Sequence, residues 1–229
     1  FIFFKEALLI SKNIERFNDI GVSVMVASHD KLEKLEDKIL MNDILLKEIK
    51  SGNKIIDVPE SYEATTASES IVHYNTLISN GCEVCVKPVR GEGGLGFWKI
   101  IKDEEQFESI ITKTSTNKIT AERFYNLLLD YELRGNAIPP LMVLEYLSGP
   151  EYSVDCLADK NGNLLVAIPR GKGLGGRVRV LDNNKDYIEI AERIARKFKI
   201  PYIYNIQFRL VNGIPKFLEV NARMSGGMY

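Results

Sequence analysis

Apolar positions recur along this chain with two periods. From Asp37 to Lys50, the run DKILMNDILLKEIK sets Ile39, Leu40, Ile44, Leu45 and Ile49 at helical spacing, and Gly52 follows as a stop signal. Further helices are predicted at Ala7–Asn18, Ser68–Ser79 (with Ser68 as its cap), Asp103–Thr112, Ala121–Leu133 and Tyr187–Phe198. Between them lie short β-branched and aromatic runs of strand length. These are VSVMVAS after Gly21, Glu83–Val89, Phe97–Lys102, Leu141–Tyr146, Tyr152–Asp159 and Leu164–Pro169, with DKNGN as the turn between the last two. YIYNIQFRLV and PKFLEV flank Asn212-Gly213, a pair that favours a two-residue hairpin. Helices and strands alternate in the first half, and mainly antiparallel strands fill the second. An α+β fold in more than one lobe follows.

Composition narrows the classes. The chain has 229 residues, 45% of them apolar and 27% charged, values ordinary for a globular protein with a core of its own. A net charge of −1 lacks the basic excess of a nucleic-acid footprint. No apolar run approaches the ~18 residues of a membrane helix, so neither nucleic acid nor membrane is expected as a partner. Three cysteines speak against a disulfide framework and for a reducing, cytoplasmic setting. Cys82 and Cys85 form a C-x-x-C, but their spacing on a strand sends them to opposite faces, and with only two histidines in the chain zinc has too few ligands.

Two stretches carry candidate chemistry. The first is VCVKPVRGEGGLGFWKI, Val84–Ile100, in which glycines crowd behind Lys87. Gly91-x-Gly93-x-x-Gly96 matches the letters of a dinucleotide fingerprint, yet that fingerprint opens a helix and this one runs into the strand-like FWKII. A P-loop motif is absent. A strand–glycine flap–strand remains, whose amides, around Gly93 and Gly94, fold over phosphates while Lys87 supplies a point charge.

The second stretch is the terminal hairpin. Glu219, Asn221 and Arg223 alternate by two on one strand, on the face opposite Leu218 and Val220, with Gln207 on the partner strand. Three oxygen-bearing side chains converging from a hairpin suit Mg²⁺, whose shell phosphates complete, and an arginine just beyond faces the same phosphates. Between the two stretches, Ser148-Gly149-Pro150 bends the chain after Glu145-Tyr146-Leu147. The bend offers backbone groups to a purine edge, and Glu151 is placed to accept from ribose hydroxyls.

These residues together resemble the ATP-grasp superfamily, in particular its carbamoyl-phosphate synthase large chain and amino-acid ligase branch. The motifs VKPVRGEGGLG, LEYLSGPEYSVD and NIQF…FLEVNARMSGG occur in order, and the resemblance runs from about Gly21 to Tyr229. It implies ATP between two α+β lobes, with Lys38 and Lys87 on its phosphates, Glu145, Tyr146 and Leu147 at adenine and Glu151 on ribose. It also implies Gln207, Glu219 and Asn221 as ligands of Mg²⁺ or Mn²⁺, and Arg223 at the transferred group, where Arg177 is a second catalytic candidate read from its own loop. Gln207 stands where the family often has Glu, which removes one negative charge from the metal site.

The resemblance further implies that residues 1–37 are the tail of a small preceding α/β domain, 38–140 the first grasp lobe and 141–229 the second, with the pattern continuing past the last residue. The activity expected from it is a ligase that activates a carboxylate as an acyl phosphate for attack by an amine, with both substrates small molecules and a homodimer as the candidate assembly. A carboxylase or kinase on the same fold, or an ATP-binding subunit without turnover, are the alternatives. RGKGLGGRVRV is expected to face the reacting centre, where Arg170, Arg177 and Arg179 are candidates to hold a carboxylate or phosphate.

Overall fold

A computed structural model describes residues 6–91, 94–102, 117–173 and 178–224. The described chain forms two compact units, Phe1–Val58 with Ser148–Tyr229, and Pro59–Leu147. The boundary therefore falls at 147/148 and not at 140/141, and residues before Lys38 join the last third of the chain. The reason is strand pairing. Leu141–Glu145 lies between two strands of the second unit, so it cannot open the other lobe.

The first unit begins with two short helices, α1 (Glu6–Lys12) and α2 (Ile14–Asn18), where one was expected. Asn13 divides them, its side-chain amide turned back to the Leu9 carbonyl at 2.8 Å. Residues 22–28 are not a strand. Met25 is 65% exposed, and the amides of Val22 and Val26 bond only locally, to Phe17 and Val24. A β-branched run becomes a strand only where a neighbour supplies the ladder, and no described strand pairs with it. Helix α3 (His29–Glu36) follows, then α4 (Lys38–Lys50), started by Asp37, whose side chain accepts from the Leu40 amide at 2.9 Å.

After the second unit the chain returns as β6 (Glu151–Ala158), β7 (Leu164–Lys172), β8 (Arg179–Leu181), α7 (Lys185–Phe198), β9 (Ile203–Val211) and β10 (Ile214–Asn221). The sheet order β10-β9-β6-β7-β8 is antiparallel throughout. The β9–β10 turn is Asn212-Gly213, with φ of 51° and 79°, as the sequence predicts. One face of the sheet packs Val154, Cys156, Ile206, Phe208, Phe217 and Val220 against α4 and α7, closing a core with Met41, Leu45, Ile190 and Ile194. Burial pushes the Cys156 thiol up to about 12, so it stays protonated.

The second unit has β1 (Ser61–Ala64), α5 (Ala67–Ser79), β2 (Val84–Pro88), β3 (Trp98–Ile101), β4 (Lys118–Thr120), α6 (Ala121–Leu133) and β5 (Leu141–Glu145). The sheet runs β1-β5-β2-β3-β4, antiparallel except for the β3–β4 pair. Ala64, Val84, Val86, Ile100 and Val143 cover Ala67, Leu77, Phe124 and Tyr125 from the two helices. Thr66, and not Ser68, caps α5, because Glu69 three residues on completes a reciprocal capping box. The helix expected at 103–112 lies outside the described residues. Cys82 packs on the core side while Cys85 sits on the other face, and no disulfide joins the described cysteines.

Candidate functional site

In the first unit the site grows out of an irregularity. Phe217 opposes Phe208 in the core, and the next register pair is Glu219 with Gln207. Leu218 is the extra residue of a β-bulge, half-buried and not cleanly on the core face as expected. Without the bulge, strict alternation from Phe217 would turn Glu219 toward the core. With it, Glu219 and Asn221 share the outer face while Val220 is 3% exposed in the core. Strand β10 ends at Asn221, and Arg223 lies just past it. The Arg223 Nη2 donates to Asn221 Oδ1 at 3.1 Å, and Asn221 Nδ2 donates to a Glu219 carboxylate oxygen at 2.9 Å. Lys38, on the first turn of α4 and 7% exposed, brings Nζ to 4.0 Å from the other Glu219 oxygen.

Antiparallel register extends this face into three cross-strand rows. Glu219, Gln207, Ser153 and Arg170 form one; Asn221, Asn205 and Asp155 the next; Lys216, Arg209 and Glu151 the third, with Lys172 beside Glu151. Glu151 accepts from Lys172 at 3.3 Å and from Arg209 at 3.1 Å. Arg170 is not open to a substrate as expected. It is 5% exposed and clamps Asp155 through Nε at 2.5 Å and Nη2 at 3.1 Å. Asn205, fully buried, also donates to Asp155, at 2.7 Å. Sequence reasoning passed over Asp155 and Asn205, although both stand at polar positions of otherwise apolar strands, SVDCLA and IYNIQF.

Gln207, Glu219 and Asn221 thus offer hard oxygen donors on one face, a donor type that fits Mg²⁺. Their only formal charge is that of Glu219, and Lys38 lies against it. The set suits a cation that arrives with phosphates more than a bare one. Among the described residues no group of three or more His, Cys, Asp and Glu side chains forms a centre of the softer or more acidic kinds.

In the second unit β2 and β3 are antiparallel neighbours joined by the glycine segment, with Val84 opposite Ile100. The strand–flap–strand reading therefore holds, and no helix follows to make a dinucleotide site. Gly94 and Gly96 have φ of 73° and 74°, and a Cβ on Gly96 would come within 2.8 Å of Pro88. Gly93 and Arg177 lie outside the described residues. Alternation puts Cys85 and Lys87 on the face away from the core, and Lys99, opposite Cys85, joins them. Lys99 Nζ stands 4.3 Å from the centre of the Tyr146 ring and 2.6 Å from Glu83. Met142 and Leu144, which face Lys87 and Cys85 in register, are buried. The amides of Glu145 and Tyr146 are held by the carbonyls of Glu60 and Glu83, while Leu147 is 4% exposed. At the following bend Gly149 is required, because any Cβ there would overlap the Leu210 carbonyl oxygen.

Residues 137–229 match the family model described as ATP-grasp in the biosynthetic pathway with Ter operon. No match is found among curated proteins. Among solved structures, the chain resembles the D-alanine–D-alanine ligase from Bacillus anthracis complexed with ATP, with a TM-score of 0.56 and 17% identity over 91% of this chain and 60% of that one. It resembles the L-amino acid ligase from Bacillus licheniformis, with a TM-score of 0.57 and 16% identity over 96% and 50%. A biotin carboxylase–β-γ-ATP complex from Campylobacter jejuni gives a TM-score of 0.65 and 14% identity over 95% and 47%. The chain spans less than two thirds of the length of each. Its fold is the α+β ATP-grasp fold, and the family-model match covers its last two fifths.

Proposed function

We propose that the chain is the nucleotide-binding and phosphoryl-transfer part of an ATP-dependent ligase that joins a small-molecule carboxylate to an amine. The observation that carries this is the bulge-placed Glu219, on one face with Gln207 and Asn221, with Lys38 against it and Arg223 bonded to Asn221. In this reading Gln207, Glu219 and Asn221 hold Mg²⁺, or Mn²⁺ in its place, which when bound neutralises phosphate charge and orients the triphosphate. Lys38 and Lys87 contact phosphate oxygens, and the amides around Gly93 and Gly94 cover them. Tyr146, with Glu145 and Leu147, borders adenine. Glu151 accepts from ribose hydroxyls while Lys172 and Arg209 hold its carboxylate in place.

A substrate carboxylate oxygen bonds to the γ-phosphorus as the β,γ-bridging P–O bond breaks, giving an acyl phosphate and ADP. Arg223 and Arg177 stabilise the charge in transit. The amine then adds to the acyl carbon, phosphate departs, and the amine's extra proton is lost to solvent. The protein's work is positioning and charge neutralisation. The motifs NIQF and EVNARMSGG support a likeness to the carbamoyl-phosphate synthase branch within this class. Three cysteines with no disulfide between them suit a cytoplasmic setting, a homodimer is the assembly proposed with it, and no described helix is long and apolar enough to cross a membrane.

Calorimetry with a non-hydrolysable ATP analogue tests the binding half. The expected result is one nucleotide per chain, with affinity falling when EDTA removes the metal, and preferential binding of NAD overturns the assignment. A phosphate-release screen of amino acids in pairs, with bicarbonate as a further arm, then separates a carboxylate–amine ligase from a carboxylase.

A further inference from the structure

Asn205 sits in the middle of the polar face, between Asp155 on β6 and Asn221 on β10. It is fully buried, and its Nδ2 donates to Asp155 Oδ1 at 2.7 Å. A carboxylate clamped by a guanidinium presents its oxygens as acceptors, so the amide orientation is fixed by its partner: nitrogen toward β6, oxygen away from it. Arg170 anchors that partner through two hydrogen bonds, so the whole trio is held in one geometry. Yet Asn205 Oδ1 has no hydrogen-bond partner among the described residues. An apolar residue of similar shape would avoid this burial cost, and a buried acceptor left over from an otherwise satisfied network calls for a donor that the described residues do not supply.

The residue across from Asn205 is Asn221, which is bonded to Glu219. Resting on the reading of Gln207, Glu219 and Asn221 as a Mg²⁺ site, we propose that Asn205 Oδ1 accepts a hydrogen bond from a water in that cation's shell. Mg²⁺ sheds water reluctantly and keeps several of its waters when bound. A fixed acceptor beside the site orients one of them and so sets the direction of the remaining coordination positions. Asn205 is then a positioning residue, and the buried Asp155–Arg170 pair is the clamp that aims it. The side chain touches neither nucleotide nor substrate.

Asn205→Leu, close in shape and without polar atoms, tests this in the full chain. Mg²⁺ is titrated into protein saturated with a non-hydrolysable ATP analogue, and Mn²⁺ binding is followed in parallel by water-proton relaxation. The half-saturating metal concentration is expected to rise ~10–100-fold. Asn205→Ala is expected to do the same, and thermal melting without metal reports on the fold of both. In the wild type, the assigned Asn205 side-chain NH₂ resonance is expected to shift when metal is added to the nucleotide complex; this needs no variant to fold. An unchanged metal dependence in a folded variant, or a resonance that does not move, overturns the inference and leaves the proposed function standing. Nucleotide binding to the wild type that is indifferent to Mg²⁺ overturns both.

Discussion

The two five-stranded sheets share a plan and differ in what they do with the face turned away from their helices. The sheet of the first unit fills it with paired groups: Asp155 with Arg170 and Asn205, Glu151 with Lys172 and Arg209, Glu219 with Lys38 and Asn221. The sheet of the second unit lays an apolar floor of Cys85, Met142 and Leu144 and sets lysines among it. The difference follows from the chemistry each face is read to serve. Carboxylates and amides that bind a cation must point in fixed directions, and buried ones must be hydrogen-bonded to stay there. A lysine is a point charge on a flexible stem and needs less of a frame; Lys99 is held by Glu83 and the Tyr146 ring alone among the contacts described above.

The sharpest way to break that contrast is to remove the one negative charge among the three oxygen donors. Glu219→Gln keeps the shape and a hydrogen bond to Asn221 but leaves the donor set neutral against Lys38. The metal-dependent gain in affinity for the ATP analogue is expected to vanish, and phosphate release to fall by ~10²-fold or more. Unfolding is expected to be unaffected, since Glu219 is only half-buried. Near-normal phosphate release would show that this face holds no metal.

The next test asks whether the pairing is structural. Asp155→Ala leaves the Arg170 guanidinium buried without its carboxylate and the Asn205 amide without its acceptor. A loss of about 3–5 kcal/mol is expected in urea unfolding followed by circular dichroism. Replacing both members, Asp155→Leu with Arg170→Met, should recover most of it, because two apolar groups need no partner. A single-variant loss below about 1 kcal/mol would mean that water reaches the pair.

How much of this was legible in the sequence divides along the same line. The helix over Asp37–Lys50 and the Asn212-Gly213 hairpin are local patterns, and the structure reproduces them. Lys38 and Glu219 were each visible as candidates, but their approach joins α4 to β10 across most of the chain, and no spacing rule reaches that far. Arg170 was misread as a substrate-binding arginine because its partner lies on a neighbouring strand, where register and not sequence order brings the two together. The bulge at Leu218 escaped for a related reason: alternation alone cannot reveal where two residues oppose one. The run VSVMVAS failed in the opposite direction, since β propensity without a pairing neighbour makes no strand.

The smallest effect belongs to the second unit and concerns a helix that carries its sheet. Thr66 accepts from the Glu69 amide at 3.1 Å, and the Glu69 carboxylate takes hydrogen bonds from the Thr65 amide at 2.7 Å, the Thr65 hydroxyl at 3.0 Å and the Thr66 amide at 3.2 Å. Those bonds, the Thr65 amide foremost, hold the Glu69 carboxyl below its ordinary value of 4.5. A depressed carboxyl stabilises the folded state fully above that ordinary value, and the contribution is lost as pH falls through the lower folded value. Thr66→Ala is expected to cost about 1 kcal/mol at neutral pH. Glu69→Gln should flatten the acid side of the stability curve below pH 4.5 while leaving the first unit's metal dependence unchanged. Thermal melts of wild type and both variants from neutral pH down through that window decide it. An acid limb of the same slope in wild type and Glu69→Gln would place the titrating group elsewhere.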